Sequence, residues 1–308
     1  MALQTSRGRP QGRSKLWFVV FLLVVWMSVG IFLLIRSSAT SGASAASGSL
    51  GEMRLWMFDI GQGDALFLEA PDGTQLLMDG GRDSKVLAKL GAVMKPWDRT
   101  IDYVVSSHLD ADHIGGLPSV LERYEVKDIW GNGETQRDTK IAKRFNLAVG
   151  EEGAVVRSVR AGEKYDVGGV TVDVLSPDAM PDTPDDTSAN NHSVVLKLTY
   201  GDTTILLTGD IEKEVEEAIA PSMGDIDILK AGHHGSSSSN SQYFLDTITP
   251  EIALISAGAD NSYGHPHVVV LHRFADRNIE VFRTDQQGDI LVKSTGGEPT
   301  VSAERLPY

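Results

Sequence analysis

The chain has 308 residues, 41% of them hydrophobic and 23% charged, with a net charge of −14; this allows a packed core and excludes disorder as the default state. It contains no cysteine, which excludes disulfides, thiolate metal ligands and a cysteine nucleophile. Arg7, Arg9, Arg13, Lys15 and Arg36 stand in the first 36 positions with no acidic residue, leaving 23 basic against 42 acidic residues beyond them, a net of −19, without the basic footprint of sequence-independent nucleic-acid binding.

Residues 16–35 form an unbroken run of 20 uncharged, mostly apolar positions. As a helix this run spans roughly 30 Å, the thickness of a hydrocarbon core. The basic residues 1–15 before it predict an N-terminus held in the cytoplasm, with the rest of the chain outside a bacterial cytoplasmic membrane. A secreted form, cleaved among the small residues 39–47, is the alternative. The run is longer than the roughly 7–15 apolar residues of a signal peptide, which favours an uncleaved anchor. Residues 36–50 are rich in Ser, Ala and Gly and read as a flexible tether. A folded domain is expected over 51–308.

Within that domain, alternation and turn residues predict strands at 54–59, 65–70, 75–79 and 103–107, with a helix at 84–93. A helix over 114–124 is expected after a Gly-Gly turn, then strands near 126–130, 154–159 and 170–175. Residues 177–191 read as a loop. Further strands are expected at 192–200, 203–208, 227–231, 252–257, 279–283 and 289–293, and helices at 212–220, 240–247 and 267–276. The order repeats. A hairpin ends in an acidic residue ("LLMDGG", 76–81; "LLTGD", 206–210), then a helix, then a strand ending in histidines ("SSHLDADH", 106–113; "AGHHGS", 231–236). A duplicated half-domain that packs two sheets face to face brings both sets of strand ends to one edge, where ligands sit in layered α/β folds.

The hexamer 108–113 places His108, Asp110, Asp112 and His113 directly after an apolar strand. Imidazole and carboxylate suit Zn²⁺ and also Mn²⁺. On a turn, positions i, i+2 and i+4 converge while i+5 faces a neighbouring point, so the loop can serve one or two ions. A solvated acidic loop is the plainer alternative. Asp210 is a candidate ligand, since a carboxylate at the tip of a buried strand is costly unless paired or coordinating; a helix N-cap is the competing reading. Of the adjacent pair, His234 is the favoured ligand, with His233 an alternative ligand or a substrate contact. His192 completes the candidate metal set. His265, in a loop before Pro266, is a candidate for contact with substrate or leaving group, and His267 reads as a surface residue or cap. Asp64 and Asp79 are turn residues or supports for a metal-bound histidine, and Asp59 is treated the same way. The glycine loop of "FDIGQGDA" (58–65) lacks the Gly-Lys-Ser/Thr of a phosphate-binding loop.

These motifs, with "NNHSVVLKLTYGDTTILLTGD" (190–210), "LKAGHHGS" (229–236) and "SYGHP" (262–266), resemble the metallo-β-lactamase superfamily. They are most similar to the hydrolase domain of ComEC/Rec2-type competence proteins and its stand-alone relatives. The resemblance covers about residues 53–294. It implies an α/β, four-layer αββα sandwich, a mono- or dinuclear site that is often zinc, and a metal-bound hydroxide as nucleophile. The superfamily's usual His-x-His-x-Asp-His has Asp110 in place of its second histidine; the added hard oxygen raises manganese beside zinc. One apolar span cannot build the many-helix channel of the competence proteins, so DNA uptake does not carry over.

The expectation is a membrane-anchored hydrolase that uses activated water on a phosphodiester or phosphomonoester. Its substrate is expected to be small or a single end, since long nucleic acid is disfavoured by the charge. Asp110, Asp112 and His265 are the catalytic candidates. A carboxylic ester, lactone or amide substrate is the alternative, as is a binding module that uses metal only for stability.

Overall fold

A computed structural model describes residues 51–178 and 189–305. The apolar run 16–35, the tether 36–50 and most of the loop 177–191 lie outside the described residues. Among those described, no helix is long and apolar enough to cross a membrane.

The first sheet is built from β1 (Met53–Met57), β2 (Leu66–Glu69), β3 (Gln75–Met78), β4 (Thr100–Val105), β5 (Glu125–Gly131) and β6 (Val155–Ser158), joined by β14 (Ile290–Ser294) and β15 (Thr300–Ala303). Their order is β15-β14-β1-β2-β3-β4-β5-β6. The second sheet holds β7 (Lys164–Val167), β8 (Val170–Ser176), β9 (Val195–Tyr200), β10 (Thr203–Leu207), β11 (Ile228–Lys230), β12 (Ile252–Ile255) and β13 (Glu280–Arg283), in the order β13-β12-β11-β10-β9-β8-β7. Each sheet begins as an antiparallel meander and continues in parallel, at β3-β4-β5-β6 in the first and β10-β11-β12-β13 in the second. The repeat expected from the two hairpins is therefore a repeat of pairing direction.

Among the described residues, eight α-helices connect the strands: α1 (Lys85–Val93), α2 (Ala111–Ile114), α3 (Leu117–Leu121), α4 (Lys140–Glu152), α5 (Lys213–Ile219), α6 (Gln242–Ile248), α7 (Val268–Ala275) and α8 (Thr284–Gln287). One core, including Leu55, Leu68, Met78, Val172, Leu196 and Leu207, fills the space between the sheets. A second packs Phe67, Leu77 and Val104 of the first sheet against Val86, Leu90 and Phe145 of its helices. A third packs Leu206, Leu229 and Ala253 against Phe244, Leu245 and Phe274. Each sheet thus buries both faces, which gives four layers of helix, sheet, sheet and helix. Full burial of one such side chain contributes roughly 1.5–3 kcal/mol.

Two local outcomes differ from the sequence reading. The expected helix 114–124 is instead the pair α2 and α3. Asp112 O accepts from Asp64 N (3.2 Å), Gly116 N donates to Gly81 O (3.0 Å), and Pro118 at the start of α3 has no N–H to give. The backbone groups that would have joined the two turns serve the glycine loops instead. Residues 140–152, to which the sequence reading assigns no element, form α4. Thr139 caps it at the N-terminus and Gly153 ends it in the left-handed region (φ 77°). The edge strands β7 and β15, and the short α8, also lie outside the expected set. β7 and β15 bury few side chains, so little apolar alternation marks them.

Candidate metal centre

The site forms where β3, β4, β10 and β11 end. β4 runs into Ser106, Ser107 and His108, then into α2, which carries Asp112 and His113. The backbone at Asp79 takes φ 62°, a left-handed conformation that turns its carboxylate back under the hexamer. There Asp79 Oδ1 accepts from Ser107 N (2.8 Å) and Oδ2 from Ser107 Oγ (2.6 Å), and Oδ2 lies 2.8 Å from His113 Nδ1. A carboxylate on Nδ1 fixes the ring and aims Nε2 away from it. His113 Nε2 points at Asp210 Oδ2, 3.2 Å distant.

The second half brings its own imidazoles. His233 and His234 occupy consecutive left-handed conformations (φ 47° and 54°), which cost on the order of 1–3 kcal/mol each and persist where surrounding contacts hold them. Here Asn240 holds the loop, its Oδ1 accepting from Gly232 N and its Nδ2 donating to Gly232 O, both at 3.0 Å. His234 is buried. Its Nδ1 donates to Ser256 O (3.0 Å), and its Nε2 lies 3.4 Å from Asp210 Oδ2 and 3.6 Å from Asp112 Oδ2. His233 is a quarter exposed, 3.9 Å from Asp210 Oδ2 and 3.6 Å from Glu212 Oε1.

Asp210 Oδ2 is therefore the meeting point of imidazoles from both halves. Burial pushes the Asp210 carboxyl up, but His113 and His234 outweigh it and hold it well below the usual carboxylate range. Burial likewise pulls His113 and His234 down, and the surrounding carboxylates, Asp210 foremost, hold both well above the ordinary imidazole value. His108 is pulled down to about 4 by burial and by His113.

Among the described residues, four groups of donors lie within 4.8 Å of one another: His108–His113–Asp210, Asp112–His113–His234, Asp64–Asp79–His113 and Asp64–Asp210–His234. His108 Nε2 and His234 Nε2 are buried with no hydrogen-bond partner among the described residues. Two orphaned imidazole nitrogens beside a buried carboxylate would each cost about 1–3 kcal/mol if left unmet. A divalent cation satisfies all of them, so the donor set fits a metal ion.

The other sequence candidates stand around this cluster. Asp112 is at its mouth, and burial, though it raises the carboxyl, is outweighed by His234 and His113. Asp110 lies 3.8 Å from His108 Nε2 but is ion-paired to Arg137, which also contacts Glu134 Oε1 at 3.1 Å; it falls outside the four groups. His192 closes a short turn (Ala189–His192) and its carbonyl accepts from Asn132 Nδ2 (3.1 Å); it too is outside them, as is His233. His265 is held by its backbone to Asn261 and packs 5.4 Å from the His233 ring and 4.9 Å from that of His267. Burial and then His234 pull it down to about 4, so it is neutral near pH 7. His267 Nδ1 accepts from Ser237 N (2.8 Å). Asp59 is apart from the cluster, near Arg305 (3.3 Å).

Three site residues escaped the sequence reading. Lys230 is fully buried at the end of β11, ion-paired to Asp64 and 3.6 Å from Asp210 Oδ1. Its signal was a charge closing the apolar strand "DILK". Arg137 and Glu134 come from an irregular loop and left no such signal.

A cluster of imidazoles and carboxylates at the ends of two packed, repeated sheets defines a metal-site α/β sandwich. The sequence profile described as the metallo-beta-lactamase superfamily matches residues 59–259, and the chain belongs to that superfamily. It is 36% identical to ComE operon protein 3 of Bacillus subtilis (strain 168), over 76% of this chain and 32% of that protein. It is 29% identical to competence protein ComA of Neisseria gonorrhoeae, over 83% of this chain and 34% of that protein. The chain thus spans about a third of the length of these relatives. Its fold is similar to that of the metallo-beta-lactamase fold protein YhfI from Bacillus subtilis, with a TM-score of 0.53, 15% identity, and 79% of this chain and 100% of that one covered.

Proposed function

We propose that the chain is a membrane-anchored, metal-dependent hydrolase that acts on a small or single-ended phosphoester or phosphodiester. The observation that carries this reading is the approach of His113 and His234 to one buried oxygen, Asp210 Oδ2. His108, His113, Asp210, His234 and Asp112 are the residues that would hold one or two ions, zinc or manganese. Bound divalent cations there would lower the pKa of water to about 7 and offset charge developing on the attacked group.

The chain's own residues divide the remaining work. Asp79 fixes the His113 ring, and Ser256 O fixes that of His234. Asp112, at the mouth, is placed to accept a proton from the attacking water. His265, neutral at pH 7, borders the site on the side of His233 and is placed to contact the leaving group. Arg137 supplies a guanidinium at the rim beside Asp110, pinned by two carboxylates. A fixed, always-charged fork suits a phosphoryl oxygen better than a neutral ester carbonyl, and this supports phosphorus as the attacked centre. The apolar run 16–35 supports the anchor, and the −19 charge beyond residue 36 argues against long nucleic acid.

The test is metal analysis of the purified chain together with hydrolysis of bis-p-nitrophenyl phosphate, repeated with Asp112→Ala and His234→Ala. Both variants are expected to lose activity, and His234→Ala to lose metal. Unchanged turnover in both would refute the site.

A further inference from the structure

A charge buried at the end of a strand needs a reason. Lys230 has no solvent exposure, and its ammonium donates to Gly209 O at 2.9 Å. The same nitrogen is ion-paired to Asp64 and lies 3.6 Å from Asp210 Oδ1. The two oxygens of Asp210 therefore face different partners. Oδ1 looks at Lys230, and Oδ2 looks at His113 and His234.

Asp64 has a similar choice. It stands 3.3 Å from His234 Nδ1 and 3.9 Å from His113 Nδ1, and it belongs to two of the four donor groups. Lys230 contacts it more closely than either ring does. Both rings also present Nδ1, not Nε2, on that side, and those nitrogens are committed to Ser256 O and Asp79. Asp64 is thus on the far side of the imidazoles from the orphaned His108 and His234 Nε2 atoms.

We infer that Lys230 is a positioning residue that divides the buried carboxylates: it retains Asp64 outside the metal cluster and turns Asp210 so that Oδ2 alone faces the ligand-bearing imidazoles. The inference rests on the metal-centre reading, and the ligand groups containing Asp64 drop out as a consequence. An uncompensated buried carboxylate is strongly destabilising, so Lys230→Met alone could fail for want of folding. The double variant Asp64→Asn/Lys230→Met leaves no unmatched charge between the two positions, and in Asp64→Asn alone the Lys230 ammonium keeps Asp210 and Gly209 O as partners.

The experiment measures Mn²⁺ and Zn²⁺ affinity and stoichiometry by equilibrium dialysis with elemental analysis, on the full chain and both variants, with circular dichroism as the check on folding. Asp64→Asn is expected to bind within about threefold of the parent. The double variant is expected to stay folded and bind about 10–100-fold more weakly, the range for lost support of a metal ligand. Where the double variant does not fold, Asp64→Asn/Lys230→Gln, which keeps a donor for Gly209 O, is read the same way. Parent-like affinity in the double variant would reduce Lys230 to a charge-compensating residue and overturn the inference. So would a tenfold loss in Asp64→Asn alone, since Asp64 would then be a ligand. A parent chain that takes up neither metal would instead overturn the metal-centre reading.

Discussion

The two halves of the molecule finish the same strand pairing with different chemistry. In the first sheet the β3–β4 ladder ends at Met78 paired with Val105; in the second the β10–β11 ladder ends at Leu207 paired with Lys230. The acidic residues that follow also differ. Asp79 is consumed by Ser107 and His113, whereas Asp210 turns Oδ2 toward imidazoles of both halves. An apolar strand end thus accompanies a carboxylate that would support a ligand, and a cationic strand end accompanies one that would itself be a ligand. The repeat supplies a scaffold twice, and the departures from symmetry assign the roles.

The sharpest way to break this comparison is to remove each carboxylate in turn. Asp210→Ala is expected to abolish stoichiometric metal binding and to lower kcat/KM for bis-p-nitrophenyl phosphate on the order of 10³-fold. Asp79→Asn keeps the shape but loses the acceptor on His113 Nδ1, and is expected to weaken metal affinity by about 10–100-fold. Elemental analysis and competition with a chelating dye measure both. Equal losses would erase the distinction between ligand and support.

A smaller effect tests what lies outside the repeat. Arg137 comes from the irregular loop before α4, with no counterpart in the symmetry argument. Arg137→Ala is expected to raise KM for the phosphodiester about tenfold, as loss of one charged hydrogen bond at roughly 1.5 kcal/mol predicts. KM for a carboxylic ester of the same leaving group is expected to stay unchanged. An equal rise for both substrates would make Arg137 a support for Asp110 only.

The strands and the residues that gather at their ends were legible because they carry strong local signals. Apolar runs ending in "SSHLDADH" and "LLTGD" identify buried strands whose tips bear clustered imidazoles and carboxylates. The break between α2 and α3 was not legible, because it depends on Asp64 N and Gly81 O competing for backbone groups from distant positions. Lys230, and with it the pairing of Asp64, escaped for the same reason: an ion pair 166 residues apart has no periodicity. Asp110 shows what spacing does not reach. The hexamer sets it 3.8 Å from His108 Nε2, but nothing in its spacing signals the ion pair with Arg137.

The remaining expected effect, on stability and not on activity, concerns how the second half holds its strained histidines. Glu216 on α5 is buried and accepts from Asn240 N (2.5 Å) and Ser241 N (3.0 Å); Asn240 in turn grips Gly232. The first half steadies its own turn differently, with Asp79 set directly against Ser107 and His113. Burial is the main influence on Glu216 and pushes it up to about 7, from an ordinary value of 4.5. A carboxyl whose folded pKa is raised favours its protonated form in the native state. Its contribution to stability is full below pH 4.5 and is lost as pH rises through about 7. Glu216→Gln is permanently neutral and lacks this dependence. The stability of the parent relative to Glu216→Gln is therefore expected to fall between pH 4.5 and 7, by on the order of 1–3 kcal/mol. Urea denaturation at a series of pH values, with metal removed from both proteins, measures it. A difference that rises with pH would mean that the two backbone donors dominate burial, and that the histidine loop is tied down by an ionised carboxylate after all.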